Sequence, residues 1–238
     1  MNISNKQIRA RARYLLDENI FGKDWMKSVL VSLFMLAVVV STGGFIVVLS
    51  ITYLEPLIDM YLRPISELLY WAVFVIMFVI NALALNIFIG PFSVSLASMH
   101  LDLERGSGKI HLDKFFDGFI NFAEDMQIGI MYTLHIILWS CLFIFPGIYT
   151  AYSYALVFHV KHDNPYLTWH QCFDESERLM DGNRWRLFTL QISFIGWNIL
   201  GFIAGFGLGM LWVVPYQNLS TAIFYEEVKM EREEEYGY

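Results

Sequence analysis

The stretch Leu187–Tyr225 reads LFTLQISFIGWNILGFIAGFGLGMLWVVPYQNLSTAIFY, 39 residues without one Lys, Arg, Asp or Glu. Three more such stretches precede it: Ser28–Leu54 (27 residues), Leu68–Leu101 (34) and Met126–Val160 (35). A helix crosses a ~30 Å hydrocarbon core with about 20 apolar residues, so each stretch is long enough to span a membrane. Composition agrees. The 238 residues are 56% apolar, 17% aromatic and 16% charged, with mean hydropathy +0.47, whereas soluble domains carry about 25% charged residues. These values argue against a disordered chain, a collagen, a disulfide scaffold and an ordinary cytosolic enzyme. The first apolar run is too long for a signal peptide and lacks a small-residue cleavage site. The N-terminus is therefore expected to be retained.

Length divides two of the stretches. At ~1.5 Å per residue, 39 helical residues would extend about 58 Å, and Gly205, Gly207 and Gly209 lie near the middle as a candidate turn. Pro146-Gly147 interrupts the 35-residue stretch, and that dipeptide is a turn or kink signal. Positive charge sets the orientation, because cytoplasmic flanks collect Lys and Arg. Lys6, Arg9, Arg11, Arg13, Lys23 and Lys27 place the N-terminus inside. Segment 102–125 brings Arg105, Lys109 and Lys114, and segment 161–186 brings Lys161, Arg178, Arg184 and Arg186. Both segments stay inside only if 126–160 crosses twice.

The sequence thus predicts an all-α polytopic transmembrane bundle of six helices in three hairpins, with both termini cytoplasmic. The spans fall at about 28–52, 69–98, 126–145, 147–161, 187–205 and 209–226. Residues 1–225 form one integral membrane domain, and 226–238 form an acidic cytoplasmic tail read as a solvated, frayed helix end. The fourth span is short, and a re-entrant hairpin around Pro146 is the alternative. Pro91, Pro146, Gly147 and Pro215 are the expected helix breaks or turns.

A short amphipathic helix precedes each hairpin, at about 4–18, 110–123 and 165–181. Ile8, Ala12, Leu15 and Leu16 share one face, Leu112, Phe115, Phe116 and Phe119 a second, and Tyr166, Trp169, Phe173 and Met180 a third. Asn164 is the expected cap of the third helix, with Pro165 in its first turn. Such helices suit the inner membrane interface. With the recurring prolines, they read as a threefold repeat.

Chemistry is sparse. No metal helix, nucleophile elbow or phosphate loop occurs, and no Asp or Glu falls inside a span. Cys141 and Cys172 lack redox or metal spacing. His135, near the centre of the third span, is the candidate intramembrane polar residue, with Asn81, Asn86 and Asn198 as candidate partners. It reads either as a proton- or ligand-linked switch or as a neutral imidazole bonded to a neighbouring helix. Arg184, Trp185 and Arg186, with Arg9 and Arg13, are candidate contacts to lipid headgroups.

The C-terminal half carries a further series: Trp139-Ser140, Phe145-Pro146-Gly147-Ile148-Tyr149, Tyr152-Ser153-Tyr154, Asn164-Pro165, Leu179-Met180-Asp181-Gly182-Asn183-Arg184-Trp185-Arg186-Leu187-Phe188, Ser193-Phe194-Ile195-Gly196-Trp197, Pro215-Tyr216 and Phe224-Tyr225-Glu226-Glu227. It closely resembles the bacterial integral membrane family catalogued as domain of unknown function nine-seven-five. The resemblance implies a multi-pass plasma-membrane protein of the kind found mainly in Gram-positive bacteria, and it implies no activity. The functional expectation is a non-enzymatic membrane protein that organises or assists an envelope, export or membrane-stress process. The alternatives are a small transporter or lipid-handling subunit with a polar site around His135, and, last, a membrane-embedded enzyme. No cofactor, metal or nucleic acid is expected. Expected partners are membrane lipids with anionic headgroups on the cytoplasmic side, a second copy of the chain or another membrane protein.

Overall fold

Charge-free runs rich in Leu, Ile, Phe and Val satisfy their own backbone only as helices when water is scarce, and every regular element described is helical. The structure, a computed structural model, describes residues 3–16, 22–107, 109–204 and 209–236, excepting the side chains at 82–86, 204, 210, 211 and 236. Helix α1 (Asn5–Leu15) opens on a capping box between Ser4 and Gln7. Helix α2 (Lys23–Leu49) runs through one π-helical turn (Ser50–Leu54) into α3 (Glu55–Leu62). The first apolar helix is therefore 40 residues long and absorbs most of the segment between the first two expected spans. Helix α4 (Glu67–Asp102) ends in a second π-helical turn (Leu103–Ser107), and a 3-10 helix covers Leu112–Phe119. Then come α5 (Phe122–Leu142), α6 (Ile144–Ser153), α7 (Val157–Asp163), α8 (Trp169–Met180), α9 (Arg184–Ile192), α10 (Ile195–Ala204) and α11 (Met210–Tyr236).

Helix α4 is the central element, packed against α2, the 3-10 helix, α5, α7 and α11. Its proline does not break it. Pro91 lies inside a continuous helix, as does Pro215 inside α11, which corrects two of the expected breaks. A proline removes one helix hydrogen bond, but neighbours hold the flanking turns. The Ser95 hydroxyl donates to the Pro91 carbonyl and accepts the Gly118 N–H. A Cβ on Gly90 would lie against the Asp125 backbone, and one on Gly118 against the Pro91 carbonyl. Around Pro215, the neighbours Val213, Tyr216 and Leu219 are buried.

The turn expected at Pro146-Gly147 lies three residues earlier. Phe143 is extended (φ −160°, ψ 151°) and caps α6. Pro146 then falls in the first turn of α6, where a missing N–H costs nothing. Gly147 serves close packing, because its Cβ would meet Ser140 across the turn. Gly209 likewise abuts the Gly201 backbone, while Gly205 and Gly207 lie outside the described residues. Helix α8 is not started by Asn164 and Pro165. Thr168 and Gln171 form its capping box, and a reciprocal pair satisfies two orphan N–H groups where Asn164 would satisfy one. At its far end Gly182 takes a left-handed conformation (φ 74°) that suits glycine.

The chain itself covers most of each amphipathic stripe, leaving Leu112 and Tyr166 exposed. Ile8, Ala12 and Leu16 are fully buried, as are Cys172 and Met180, and α1 packs on α9 and α11. Phe115 and Phe119 of the 3-10 helix pack on Phe92 with centroids 5.4 and 5.1 Å away, leaving Phe116 exposed. The acidic end is not frayed. Residues 226–236 continue α11, with Val228 fully buried.

Burial is polarised along the helices. Buried residues of α2 end at Ser32, and no residue from 33 to 62 or from 67 to 81 is buried. The buried core instead gathers the first turns of α2, the last turns of α4, the start of α5, and α7, α8 and most of α11. Two described helices are long and apolar enough to cross a membrane, Lys23–Leu62 and Arg184–Ile203.

Adding a methyl at Gly90 should therefore cost about 1–3 kcal/mol through overpacking. Gly44→Ala, where nothing lies within 4 Å, should be neutral or stabilising by about 0.5–1 kcal/mol. Denaturant titration of the two variants in detergent micelles checks the contrast.

Candidate functional site

The chemistry gathers at the buried end, which we call the base. Arg105, in the turn after α4, reaches the carboxylates of Asp163 (2.8 Å) and Glu226 (2.6 Å). Asp163, the last residue of α7, also accepts from Lys229 (2.6 Å) and the Tyr225 hydroxyl (2.9 Å), both on α11. Its side chain is only 5% exposed. Burial pushes the Asp163 carboxyl up, but the Lys229 and Arg105 donors outweigh burial and hold it below its ordinary value.

Further pairs extend this layer. Arg11 of α1 binds Glu104, whose carboxyl burial raises against the Arg11 charge. Arg186 of α9 binds Glu231 at 2.7 Å. Asp24 accepts from Lys27 and from the Ile110 N–H. His100 is 1% exposed; its Nδ1 lies 2.7 Å from the Leu96 carbonyl and its Nε2 3.0 Å from the Ser28 hydroxyl. Desolvation lowers the His100 pKa to about 4, so the ring is neutral at physiological pH, donating from Nδ1 and accepting at Nε2.

A second focus lies between α5 and α7. Lys161 is 2% exposed and donates to Glu124 and to the Pro165 and Leu167 carbonyls. Beside it Asp125 is also 2% exposed. Burial, opposed by the Lys161 charge and helped by Glu124, raises the Asp125 carboxyl to about 7.

The intramembrane cluster predicted around His135 does not form among the described residues. His135 Nδ1 bonds the Met131 carbonyl of its own helix at 2.7 Å, and the ring lies among Tyr154, Trp169 and Phe173. Asn81 bonds the Met77 carbonyl and accepts from Ser50 on α2. Asn198 sits on α10, and the Asn86 side chain is outside the description. A polar cavity lies elsewhere. About 190 Å³ in volume, it is lined by Ser93, His159, Asn218 and Thr221 among apolar residues, between α4, α7 and α11. His159 Nδ1 and Asn218 Nδ2 are buried there without hydrogen-bond partners.

Two of the candidate headgroup arginines bond within the chain. Arg184 donates to Ser153 and Asp181 and lies over the Tyr149 ring; Arg186 holds Glu231 and Asn183. Trp185 is 69% exposed, stacked on Phe188. Arg13 is exposed, and the Arg9 carbonyl accepts the Tyr216 hydroxyl. Sequence reasoning missed Asp163, Glu226 and Lys229. The available signal was position, since Arg105, Asp163 and Glu226 all fall just past the ends of charge-free stretches.

Among the described residues no group of three His, Cys, Asp or Glu is placed to hold a metal ion. Both cysteines are free, and burial pushes the Cys172 thiol up to about 11, which keeps it protonated and a poor nucleophile.

Residues 145–232 match the model of a family described as Protein of unknown function (DUF975). This part of the chain is similar to DUF975. The matched segment runs from α6 into the charged end of α11, so it supplies Asp163, Glu226, Lys229, Arg186 and Glu231. Their partners Arg105, Arg11 and Glu104 lie outside it. Neither the curated proteins nor the solved structures include a match to this chain.

Asp163→Ala should destabilise by about 1–3 kcal/mol, because it leaves the buried Tyr225 hydroxyl without its acceptor and takes a carboxylate partner from the half-exposed Arg105 and Lys229. A depressed carboxyl stabilises above the unfolded value of about 3.9 and loses that contribution as pH falls through its folded value. The gap between wild type and D163A should therefore be full at pH 7 and shrink toward pH 3. Asp125 carries the opposite sign. Its raised carboxyl keeps a proton that the unfolded chain releases, so its contribution falls as pH rises from about 4 to about 7. Asp125→Asn should gain stability relative to wild type between pH 5 and pH 8. Thermal melts across pH check both.

Proposed function

We propose that this chain is a polytopic, non-enzymatic protein of the bacterial plasma membrane that organises or assists an envelope, export or membrane-stress process. It crosses six times in three hairpins, with both termini and the charged base in the cytoplasm. The observation that carries the reading is the polarised burial. Charges pair with one another at the base, while the far half leaves Leu36, Phe45, Val48, Phe74, Phe78 and Leu200 uncovered. Exposed apolar area on this scale marks a surface that something other than water covers, and the uncovered apolar runs are long enough to cross a bilayer. The second hairpin gains support from the break at Phe143. It leaves 17 residues, 144–160, for the returning segment before the basal Lys161 and Asp163, where the sequence allowed about 15. Lipid anchoring at the base falls to exposed Trp185 and Arg13 rather than to the internally bonded Arg184 and Arg186. The non-enzymatic reading is supported by the protonated Cys172.

A small transporter or lipid-handling subunit is the second reading. The cavity lined by His159 and Asn218 favours it, in place of the His135 site, because irregular polar space at membrane depth serves solutes.

In a chain freed of native cysteines, a membrane-impermeant maleimide applied to intact cells should label Tyr61→Cys but not Glu177→Cys. Labelling of Glu177→Cys from outside would overturn the orientation. Cross-linking in native membranes should give one reproducible membrane-protein partner, and unaided turnover of a substrate by the protein in liposomes would overturn the non-enzymatic reading.

A further inference from the structure

The cavity beside Asp125 is built but unbalanced. About 330 Å³ in volume, it opens between the 3-10 helix, the start of α5 and the loop after α7, with Lys114, Asp117, Asn121, Asp125 and Lys161 in its wall. Its cations are already committed. Lys161 has three N–H donors, and Glu124, Pro165 and Leu167 accept three bonds from it. Lys114 lies between Asp102 (3.4 Å) and Asp117 (3.5 Å). What is left over is an acceptor, because Asp125 Oδ1 is buried without a hydrogen-bond partner.

We propose that this cavity binds a primary ammonium group, with Asp125 and Asp117 as its carboxylate acceptors and Asn121 Oδ1 as the third. The other ligand classes fit less well. An anion would meet an unpaired carboxylate and two lysines that already have partners. A hard metal ion takes six to eight oxygens; the wall offers two carboxylates, one amide and the His162 ring, and no three His, Cys, Asp or Glu among the described residues are placed to hold a metal. Water would fill the hydrogen bond at Oδ1 but bring no positive charge to the carboxylate. An ammonium supplies three donors and the opposite charge together. The volume sits at the small end of the range for ligand pockets, and Val94 and Ile120 line it beside the polar groups, which suits a short aliphatic stem. The ammonium comes either from a free alkylamine or from the amino headgroup of a phospholipid. The inference rests on the cavity alone; only the choice between these sources depends on the membrane reading above.

The full-length protein in a non-ionic detergent is titrated with 1,4-diaminobutane and with ethanolamine, and its thermal midpoint is read. At a hundredfold excess over Kd a rise of about 5–10 °C is expected. Tetramethylammonium, with the charge but no N–H donor, should give none. Asp125→Asn should abolish the rise. Ile120→Trp, which narrows the cavity at an exposed position and leaves Asp125 in place, should abolish it as well, and it serves if the first variant fails to fold. In nanodiscs, a rise with phosphatidylethanolamine over phosphatidylglycerol assigns the lipid source, and a rise only with added amine assigns the free one. No shift with any of these probes, an equal shift with tetramethylammonium, or a shift retained in both variants overturns the proposal.

Discussion

Asp163 is a carboxylate almost removed from water, and a charge in that position must be matched or it melts the elements around it. Its partners come from far along the chain: Arg105 after α4, and Tyr225 and Lys229 on α11. Bringing them together fixes the end of α4, the end of α7 and the charged part of α11 against one another. The acidic residues after Tyr225 thereby lose the freedom of a tail. Glu226 and Glu231 belong to the base, and Val228 packs beneath them. The Arg11–Glu104 pair then fastens α1 to the same layer.

Seen from that layer, the two halves of the molecule obey different rules. The base contains its own counter-charges, and its amphipathic helices turn their apolar stripes inward. The far half does neither. Helices α2 and α4 rise out of the core and leave their upper turns uncovered, while Gly147 lies close against Ser140 and Gly209 against Gly201. On the reading proposed here, lipid covers this half and the base forms a rigid cytoplasmic foot.

Much of this was legible in the sequence. Long runs without charge predict helices because no other element satisfies its backbone within one segment. The stripes at Ile8–Ala12 and Trp169–Phe173 predict amphipathic helices, and both form. Three features were hidden. The reach of the first helix to Leu62 depends on a π-helical turn that no composition signal marks. Proline as a breaker failed at Pro91 because Gly118 and Asp125, distant in sequence, pack on the helix at Ser95 and Gly90. His135 drew attention as a lone polar residue in an apolar run. Its own helix satisfies it, whereas His159 and Asn218 meet only through the packing of α7 on α4 and α11. Pairing across long sequence distance also hid the Asp163 hub, since Asp163 and Lys229 are 66 residues apart.

The division into a charged foot and a lipid-covered half is tested most directly by nitroxide labels in proteoliposomes. Labels at Val47, Ile76 and Leu200, all exposed apolar positions, should relax with oxygen and be shielded from a water-soluble nickel chelate, while a label at Glu177 should show the reverse. Chelate access at Val47, Ile76 and Leu200 equal to that at Glu177 would contradict it.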